Sequence, residues 1–310
     1  MIHCGKWMGM HKVISSLGSF VLDRDSRFAW LSARGFCNWM SDERYLKRLF
    51  RTHMGKELDL KDPRTFNEKL QWLKLHDRRP EYTMMVDKYL VRPYIARQLG
   101  EEYLIPLLQV WEDPDAIDFD ALPDQFVLKC NHNSGLGMCI CEDKAALDYA
   151  HVRAELRKGL AQDYYLTGRE WPYKDVPRRI IAEQYMGHDI SDYKFMCFDG
   201  RAECAFVCSE RFSKDGLKVT FFDREWNVLP FERHYPKSAV PIPRPENLEK
   251  MIAFAEQLSR GIPFVRVDFY EIEGRLYFGE LTFYPGSGLE EFTPERADYE
   301  LGALIKLPNL

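Results

Sequence analysis

The sequence is short of the features by which nucleotide, metal and membrane proteins are usually recognised. Neither Gly-x-x-x-x-Gly-Lys-[Ser/Thr] nor Gly-x-Gly-x-x-Gly after a strand occurs in its 310 residues, which excludes the two glycine-rich phosphate loops most often searched for. Its eight cysteines contain no Cys-x-x-Cys pair. Cys139-x-Cys141 and Cys204-x3-Cys208 do not match the paired spacing of a structural zinc site. Cys130, Cys197 and Cys208 lie in apolar runs and read as reduced core residues. There is no Asn-x-[Ser/Thr] acceptor. The apolar-leaning stretch 11–22 falls short of the ~20 residues a spanning helix needs, so the chain reads as cytoplasmic and without an integral membrane segment. A net charge of −5, from 43 basic and 48 acidic residues, leaves no basic surplus, which argues against nucleic acid as the main partner. No repeat, charge block or low-complexity linker is visible.

What is present is an ordinary globular composition, 45% hydrophobic and 29% charged. Twenty phenylalanines, 16 tyrosines and seven tryptophans supply a large aromatic core. The length suits two or three lobes. Residues 1–60 look helical and basic. Ser41 stands before a helix over Asp42–Met54 that places Tyr45, Leu46, Leu49 and Phe50 on one face. Thr65-Phe66-Asn67-Glu68 has the form of a capping box. A third helix is expected from about Tyr82 to Gln98, with Pro93 as a kink or start, and another from Ala145 to Tyr165. Strand-like runs follow at 126–130, 138–141, 180–186, 193–198, 202–208 and 218–223, then a helix over Glu246–Arg260. The last two strands, 264–271 and 275–280, are joined by Glu273-Gly274. Mixed helices and short hairpins argue an α+β or α/β build with antiparallel sheet in the second half.

Three constellations carry chemistry. In the first, a strand delivers Lys129 and a small-residue loop follows through Asn133, Ser134, Gly135 and Gly137. Backbone N–H groups of such a loop can cradle phosphate oxygens, although a plain hairpin turn has the same composition. In the second, Arg266 and Asp268 alternate onto one strand face, and Glu280 and Thr282 end the next strand before Pro285-Gly286-Ser287-Gly288. Two carboxylates beside an arginine suit Mg²⁺ on nucleotide phosphates, and equally a surface ion pair across a hairpin. In the third, the apolar strand 180–186 is interrupted at Glu183, in the manner of a hinge that offers backbone groups to a base, or of an edge strand. His132, His188 and His234 read as hydrogen-bonded structural residues rather than bases. Asp23-x-Asp25, Asp113-x-Asp115 and Asp118-x-Asp120 imitate a metal motif, but none ends an apolar strand.

In order along the chain, Asp87-Lys88-Tyr89, Lys129 with its loop, Glu183, Arg266-x-Asp268 and Glu280-x-Thr282-x2-Pro285-Gly286 resemble the ATP-grasp superfamily. More closely they resemble its TupA-like group, associated with capsule, teichuronopeptide and other surface-polysaccharide synthesis. Shared stretches include Thr65–Trp72, Val86–Tyr89, Phe126–Lys129, Gly168-Arg169-Glu170-Trp171-Pro172-Tyr173-Lys174 and Asp192–Phe195, and the likeness runs from about residue 45 to 308. It implies an ATP-grasp fold with a nucleotide cleft between two α+β lobes and an N-terminal helical extension. The segments would be the extension at 1–60, a first lobe at 61–120, a lid lobe with loop and hinge at 121–186, and a C-terminal lobe with metal and catalytic residues at 187–310.

The resemblance further implies ATP and Mg²⁺ as cofactors. Lys88 and Lys129 would contact phosphates, and residues 131–138 would close as a lid. Glu183, Gln184, Tyr185 and Met186 would line the adenine pocket, and Asp189 or Asp192 would take the ribose, with Lys194 in the same nucleotide-binding set. Asp268 and Glu280 would carry the metal with Thr282 beside them, where superfamily members usually have Asn. Arg266 and Lys129 would act on the transferring phosphoryl group. Trp171, Tyr173, Lys174 and Ser287 would face the acceptor. The lid differs from the His-Gly-Ser-Gly more common among related chains. The implied reaction joins an amine to a carboxylate through an acyl phosphate, with a small-molecule or glycan acceptor and no nucleic-acid partner. A place in a glycan-assembly complex at the inner membrane face also fits. A glycan kinase, a glycosyltransferase and a non-catalytic nucleotide binder are the alternatives.

Overall fold

The computed structural model describes residues 24–188, 190–210, 213 and 216–308. The chain divides into two compact units, each built from several segments. The first takes the described residues up to Thr52, with Arg79–Pro93 and Ile105–Gly187; the second takes His53–Arg78, Tyr94–Leu104 and the described residues from His188 onward. The stretch 61–120, read from sequence as one lobe, thus contributes to both units.

The first unit opens with helices α1 (Arg24–Ala33) and α2 (Asp42–Met54). The spacing of Tyr45, Leu46, Leu49 and Phe50 makes α2 amphipathic, and these four are its buried residues. Short α4 (Glu81–Val86) follows, after α3 (Phe66–His76), which belongs to the second unit. The single helix expected over 82–98 is broken between α4 and α5 (Val91–Gln98). Asp87 breaks it: its Oδ1 accepts from the N–H groups of Tyr89 and Leu90 at 2.8 and 3.1 Å. A local side-chain turn replaces the helical hydrogen bonds.

A four-stranded sheet of order β1-β4-β2-β3 forms this unit's centre, from β1 (Leu107–Trp111), β2 (Phe126–Cys130), β3 (Met138–Cys141) and β4 (Ile180–Gln184), all antiparallel. Phe126, Leu128 and Cys130 alternate into a core that also holds Val152 and Leu156 of α6 (Tyr149–Ala161). The helix expected over 145–165 is shorter because Asp148 caps a fresh start, accepting from His151 N, and Gln162 closes it; α7 (Tyr165–Gly168) is a separate turn. Strand β1 was not anticipated: its residues are all half-buried or exposed, which erases the alternation by which a strand is read.

In the second unit a five-stranded antiparallel sheet has the order β10-β9-β5-β6-β7. Its strands are β5 (Ser191–Phe198), β6 (Arg201–Ser209), β7 (Lys218–Phe222), β9 (Val265–Ile272) and β10 (Arg275–Thr282). Glu273 and Gly274 turn the β9–β10 hairpin with φ of 51° and 72°, the mirror-image turn that matches strand twist. Helix α8 (Leu248–Leu258) buries Leu248, Met251, Ala255 and Leu258, the face its spacing predicts. Helix α3 (Phe66–His76) begins with the foreseen capping box, Thr65 accepting from Glu68 N while Glu68 Oε2 accepts from Thr65 N. Such a cap stabilises a helix by about 1 kcal/mol.

Helix α9 (Arg296–Leu304) and the two-residue pair β8 (Glu232–Arg233) with β11 (Phe292–Thr293) complete the unit; none of the three was anticipated. No helix among the described residues is long and apolar enough to cross a membrane.

Candidate functional site

The densest charge cluster of the second unit grows from strand pairing. Lys194 lies directly opposite Asp268 in the β5–β9 register. Asp192 is two residues before Lys194 and Arg266 two before Asp268, so all four share a face. Lys194 Nζ is 2.7 Å from Asp192 Oδ2 and 2.5 Å from Asp268 Oδ2. Arg266 grips Asp268 with Nε to Oδ1 at 2.7 Å and Nη2 to Oδ2 at 2.6 Å. The same Nη2 reaches Glu280 Oε1 at 2.8 Å, which also accepts from Thr282 Oγ1 at 3.0 Å.

Asp268 is almost wholly buried. Burial pushes its carboxyl up, against the opposing pull of Arg266 and Lys194; the two-pronged guanidinium contact is one that a carboxylate accepts. Burial also works against the Lys194 charge, but Asp192 and Asp268 outweigh it and hold the ammonium above the ordinary lysine range. Three acids against two bases leave the cluster one negative charge in excess.

Glu280 reaches this face through an irregularity the sequence did not disclose. The β9–β10 register shifts between Phe278 and Leu281, so two residues of β10 stand against one of β9, a β-bulge. Before it Leu276 and Phe278 are buried; after it Leu281 and Phe283 are. The bulge thus reverses which parity faces the core and turns Glu280 and Thr282 towards Arg266. Gly279 permits this: a Cβ there would lie 3.1 Å from Asp268 O and 3.2 Å from Asp268 Cβ.

The turn after β10 is fastened from beneath. Gly286 and Ser287 take φ of 58° and 56°, a left-handed conformation that costs a non-glycine residue roughly 1–2 kcal/mol. Lys74 Nζ donates to both Ser287 O and Ser287 Oγ at 2.8 Å, and Gln71 Nε2 donates to the carbonyls of Ser287 and Gly288 at 2.9 and 2.8 Å. Both side chains are completely buried. Ser287 was a candidate from sequence, whereas Lys74 was missed. Its signal was position alone: Gln71 and Lys74 stand three apart and share a helix face.

In the first unit, Lys129 and Glu183 are diagonal neighbours on one face of the β2–β4 pair. Lys129 Nζ lies 2.6 Å from Glu183 Oε2, and Arg92 Nη1 lies 3.3 Å from Oε1. Glu183 is therefore held between two cations. Lys88 Nζ donates to Asn133 O at 2.8 Å, so the β2–β3 loop and the segment after α4 meet at a lysine.

That loop is anchored along most of its length. Asn131, His132, Asn133 and Gly137 are buried, whereas Ser134 and Leu136 are exposed and Gly135 is half-buried between them. Asn133 Nδ2 donates to Gly159 O at 3.2 Å. A Cβ on Gly137 would stand 2.8 Å from Gly159 Cα, so Gly137 serves close packing against α6, and an exposed tip remains at 134–136.

Of the other sequence candidates, Gln184 is exposed and its N–H donates to Pro106 O at 2.9 Å. Tyr185 Oη donates to Glu142 Oε1 at 2.8 Å, and Met186 is half-buried. Trp171 and Tyr173 sit on a short turn, the Tyr173 ring edge-on to Tyr164. Lys174 is exposed, 5.6 Å above the Tyr165 ring. Asp189 lies outside the described residues. Of the three Asp-x-Asp imitations, the first begins at Asp23, outside the described residues, and the other two are turn formers: Asp113 and Asp118 each accept a hydrogen bond from the backbone two residues on.

His132 is a structural group with a pH signature. Its Nε2 lies 3.1 Å from Gln162 O, so Nε2 carries the proton, and its buried Nδ1 has no hydrogen-bond partner among the described residues. Burial first, then the nearby Arg178 and Lys88 charges, push its pKa down to about 4. Because the folded value lies below the unfolded one, the stability it supports is whole above about pH 6.5 and is lost as the pH falls towards 4. The loss should amount to about 3 kcal/mol. Thermal melts from pH 7 to 4 should show that slope in the native chain and a flatter one in His132→Gln.

For Mg²⁺, Asp268, Glu280 and Thr282 offer hard oxygen donors in a cluster with surplus negative charge. That set fits an ion held by one or two carboxylates together with substrate phosphates. Lysines 88 and 129 offer the point charges that phosphate oxygens take.

The sequence pattern of the TupA-like ATP-grasp family matches residues 68–306. No curated protein matches the chain. Among solved structures, it is similar to D-alanine–D-alanine ligase from Helicobacter pylori, with 17% identity over 78% of this chain and 69% of that one and a TM-score of 0.41. It is also similar to D-alanine–D-alanine ligase from Bacillus anthracis complexed with ATP, with 14% identity over 72% of this chain and a TM-score of 0.40. The chain spans 65% of that protein's length. D-cycloserine synthetase DcsG is similar at 16% identity, covering 64% of this chain and 62% of its own, with a TM-score of 0.37.

Proposed function

The chain belongs to the TupA-like ATP-grasp family, an ATP-dependent ligase by class, and from that premise we propose that it joins an amine to a carboxylate through an acyl phosphate. The carboxylate belongs to a surface polysaccharide or its precursor, and the amine to an amino acid or similar nucleophile. The observation that carries this reading is the cluster of buried Asp192, Lys194 and Asp268 with half-buried Arg266 and Glu280. It combines a fixed guanidinium with acidic oxygens, the pairing that phosphoryl transfer needs.

In the reaction the acceptor carboxylate attacks the γ-phosphorus of ATP, the bond to ADP breaks, and an acyl phosphate forms. The amine then attacks the acyl carbon, and phosphate departs as the amide is made. Lys88 and Lys129 offset phosphate charge, and Glu183 keeps the Lys129 ammonium oriented. Arg266 stabilises the charge that spreads over the transferring oxygens, its own orientation fixed by Asp268 and Glu280. Asp268 and Glu280, with Thr282, would hold Mg²⁺, which would supply further neutralisation of the phosphates. Tyr185 and Met186 contribute to the adenine pocket, Asp192 to the ribose contact, and Trp171, Tyr173 and Ser287 to the acceptor side.

ADP release tests the proposal. With uronic-acid glycans and a panel of amino acids, ADP and free phosphate should appear together only when both partners are present. ADP formation that needs the glycan alone and leaves phosphate on a sugar hydroxyl would instead identify a kinase. In the ligase, Lys129→Met should raise the KM for ATP about tenfold, because a charge-assisted phosphate contact is lost.

A further inference from the structure

The N-terminal part of the first unit carries a surface that the ligase chemistry does not use. Between Arg24 and Arg51 the sequence holds seven arginines and lysines against three acids, in a chain whose total is −5. Each of those acids sits beside a base: Asp25 beside Arg48 at 2.8 Å, Glu43 beside Lys47 at 2.6 Å, and Asp42 near Arg169 at 3.8 Å. Arg24, Arg27, Arg34 and Arg44 are exposed, and no acid of the segment offsets them. Arg27, Trp30 and Arg34 recur at helical spacing along α1 and its exit, so they line one side.

Within this cationic segment the α1–α2 loop holds two of the most exposed large apolar side chains among the described residues. Trp39 is 82% exposed and Phe36 60%. The loop is nevertheless fixed. Cys37, between the two aromatics, is buried, and Arg169 reaches up from below to donate to the carbonyls of Cys37 and Asn38 at 3.4 and 3.3 Å. Arg169 is itself buried, with its guanidinium 4.4 Å over the Tyr45 ring. Phe36 stacks on Trp30 with an interplanar angle of 7°, and Arg34 covers that indole at 3.9 Å. The aromatics are thus presented on a braced loop rather than a loose one, with exposed arginines before and after it.

We propose that this loop is a docking surface for an anionic phospholipid membrane. Indole and phenyl rings favour the headgroup boundary, and basic side chains near them are drawn to anionic lipid. The charge of the segment, opposite in sign to the chain as a whole, selects such a surface over a neutral one. The contact is peripheral: rings enter the boundary region and no segment crosses.

Co-sedimentation of the full chain with vesicles tests this. It should pellet with phosphatidylcholine–phosphatidylglycerol vesicles, pellet far less with phosphatidylcholine alone, and dissociate as salt rises. The double variant Phe36→Ala, Trp39→Ala should bind the anionic vesicles at least about tenfold more weakly. Its melting temperature and vesicle-free ADP release should stay unchanged. The triple variant Arg24→Gln, Arg27→Gln, Arg44→Gln should lose most of the preference for anionic lipid. No pelleting by the native chain would overturn the proposal, as would equal pelleting by the double variant. So would sedimentation velocity showing a dimer that the double variant abolishes while neither form binds vesicles, because the patch would then be a self-association face.

Discussion

Asp268→Asn should lower ATP turnover by about a thousandfold or more, the scale on which removing a single preorganised electrostatic group acts. The substitution keeps the shape of the side chain but removes its charge, and it turns one acceptor oxygen into a donor. That donor would face Arg266 or Lys194, which are themselves donors at 2.5–2.7 Å from the carboxylate. The loss is thus twofold: one of the two proposed metal carboxylates disappears, and the guanidinium that Asp268 aims is released. Stability should fall as well, by about 1–3 kcal/mol, because the new amide is a buried donor facing other donors, while Asp192 and Glu280 still pair the two cations. Native-like turnover in Asp268→Asn would remove this residue from the reaction altogether.

Gly302→Ala should destabilise the chain by about 3 kcal/mol, although helix propensity alone favours alanine over glycine by about 1 kcal/mol. Position 302 lies in the last turns of α9, where a Cβ would come 2.3 Å from Arg64 O and 2.6 Å from Phe66 N. The obstacle is backbone at the start of α3, which cannot rotate aside as a side chain can. Moving α9 away would loosen Lys69 Nζ from the carbonyls of Gly302 and Ile305, both at 2.8 Å, and Asn67 N from Asp298 Oδ1 at 3.0 Å. These contacts hold the helix whose Gln71 and Lys74 fasten the 285–288 turn. Differential scanning calorimetry should therefore show a lower melting temperature, and a stabilised variant would mean that α9 is not seated as described.

The same comparison of local rule with tertiary contact explains what could be read in the sequence. The capping box at Thr65, the amphipathic α2 and α8, and the alternating strands β2 and β9 are local patterns, and each forms where its pattern lies. The face shared by Arg266 and Asp268 follows from alternation alone. The break at Asp87 depends on a side chain choosing two backbone N–H groups over solvent, and a spacing argument carries no term for that choice. Strand β1 is half-covered on both faces and so shows no alternation. The contact of Lys129 with Glu183 needed the β2–β4 register, and Lys74 needed a partner more than 200 residues away. Gly137, read as a flexible phosphate-loop residue, is required by the approach of α6, which no pattern within its own hairpin reveals.

The bulge in β10 has a consequence for how this chain can vary. Substitutions along the strand act on one side chain at a time, but regular pairing of β10 with β9 beyond Phe278, with no residue lost, would set Gly279 opposite Asp268, Glu280 opposite Val267 and Leu281 opposite Arg266. Each later side chain would then exchange faces, sending Glu280 inward and Leu281 towards Arg266. Such a slip would keep the strand's length, composition and hydrogen-bonding capacity intact while erasing the acid from the cluster. The reading frame of the strand, rather than the identity of any one residue in it, is the least negotiable property of this hairpin.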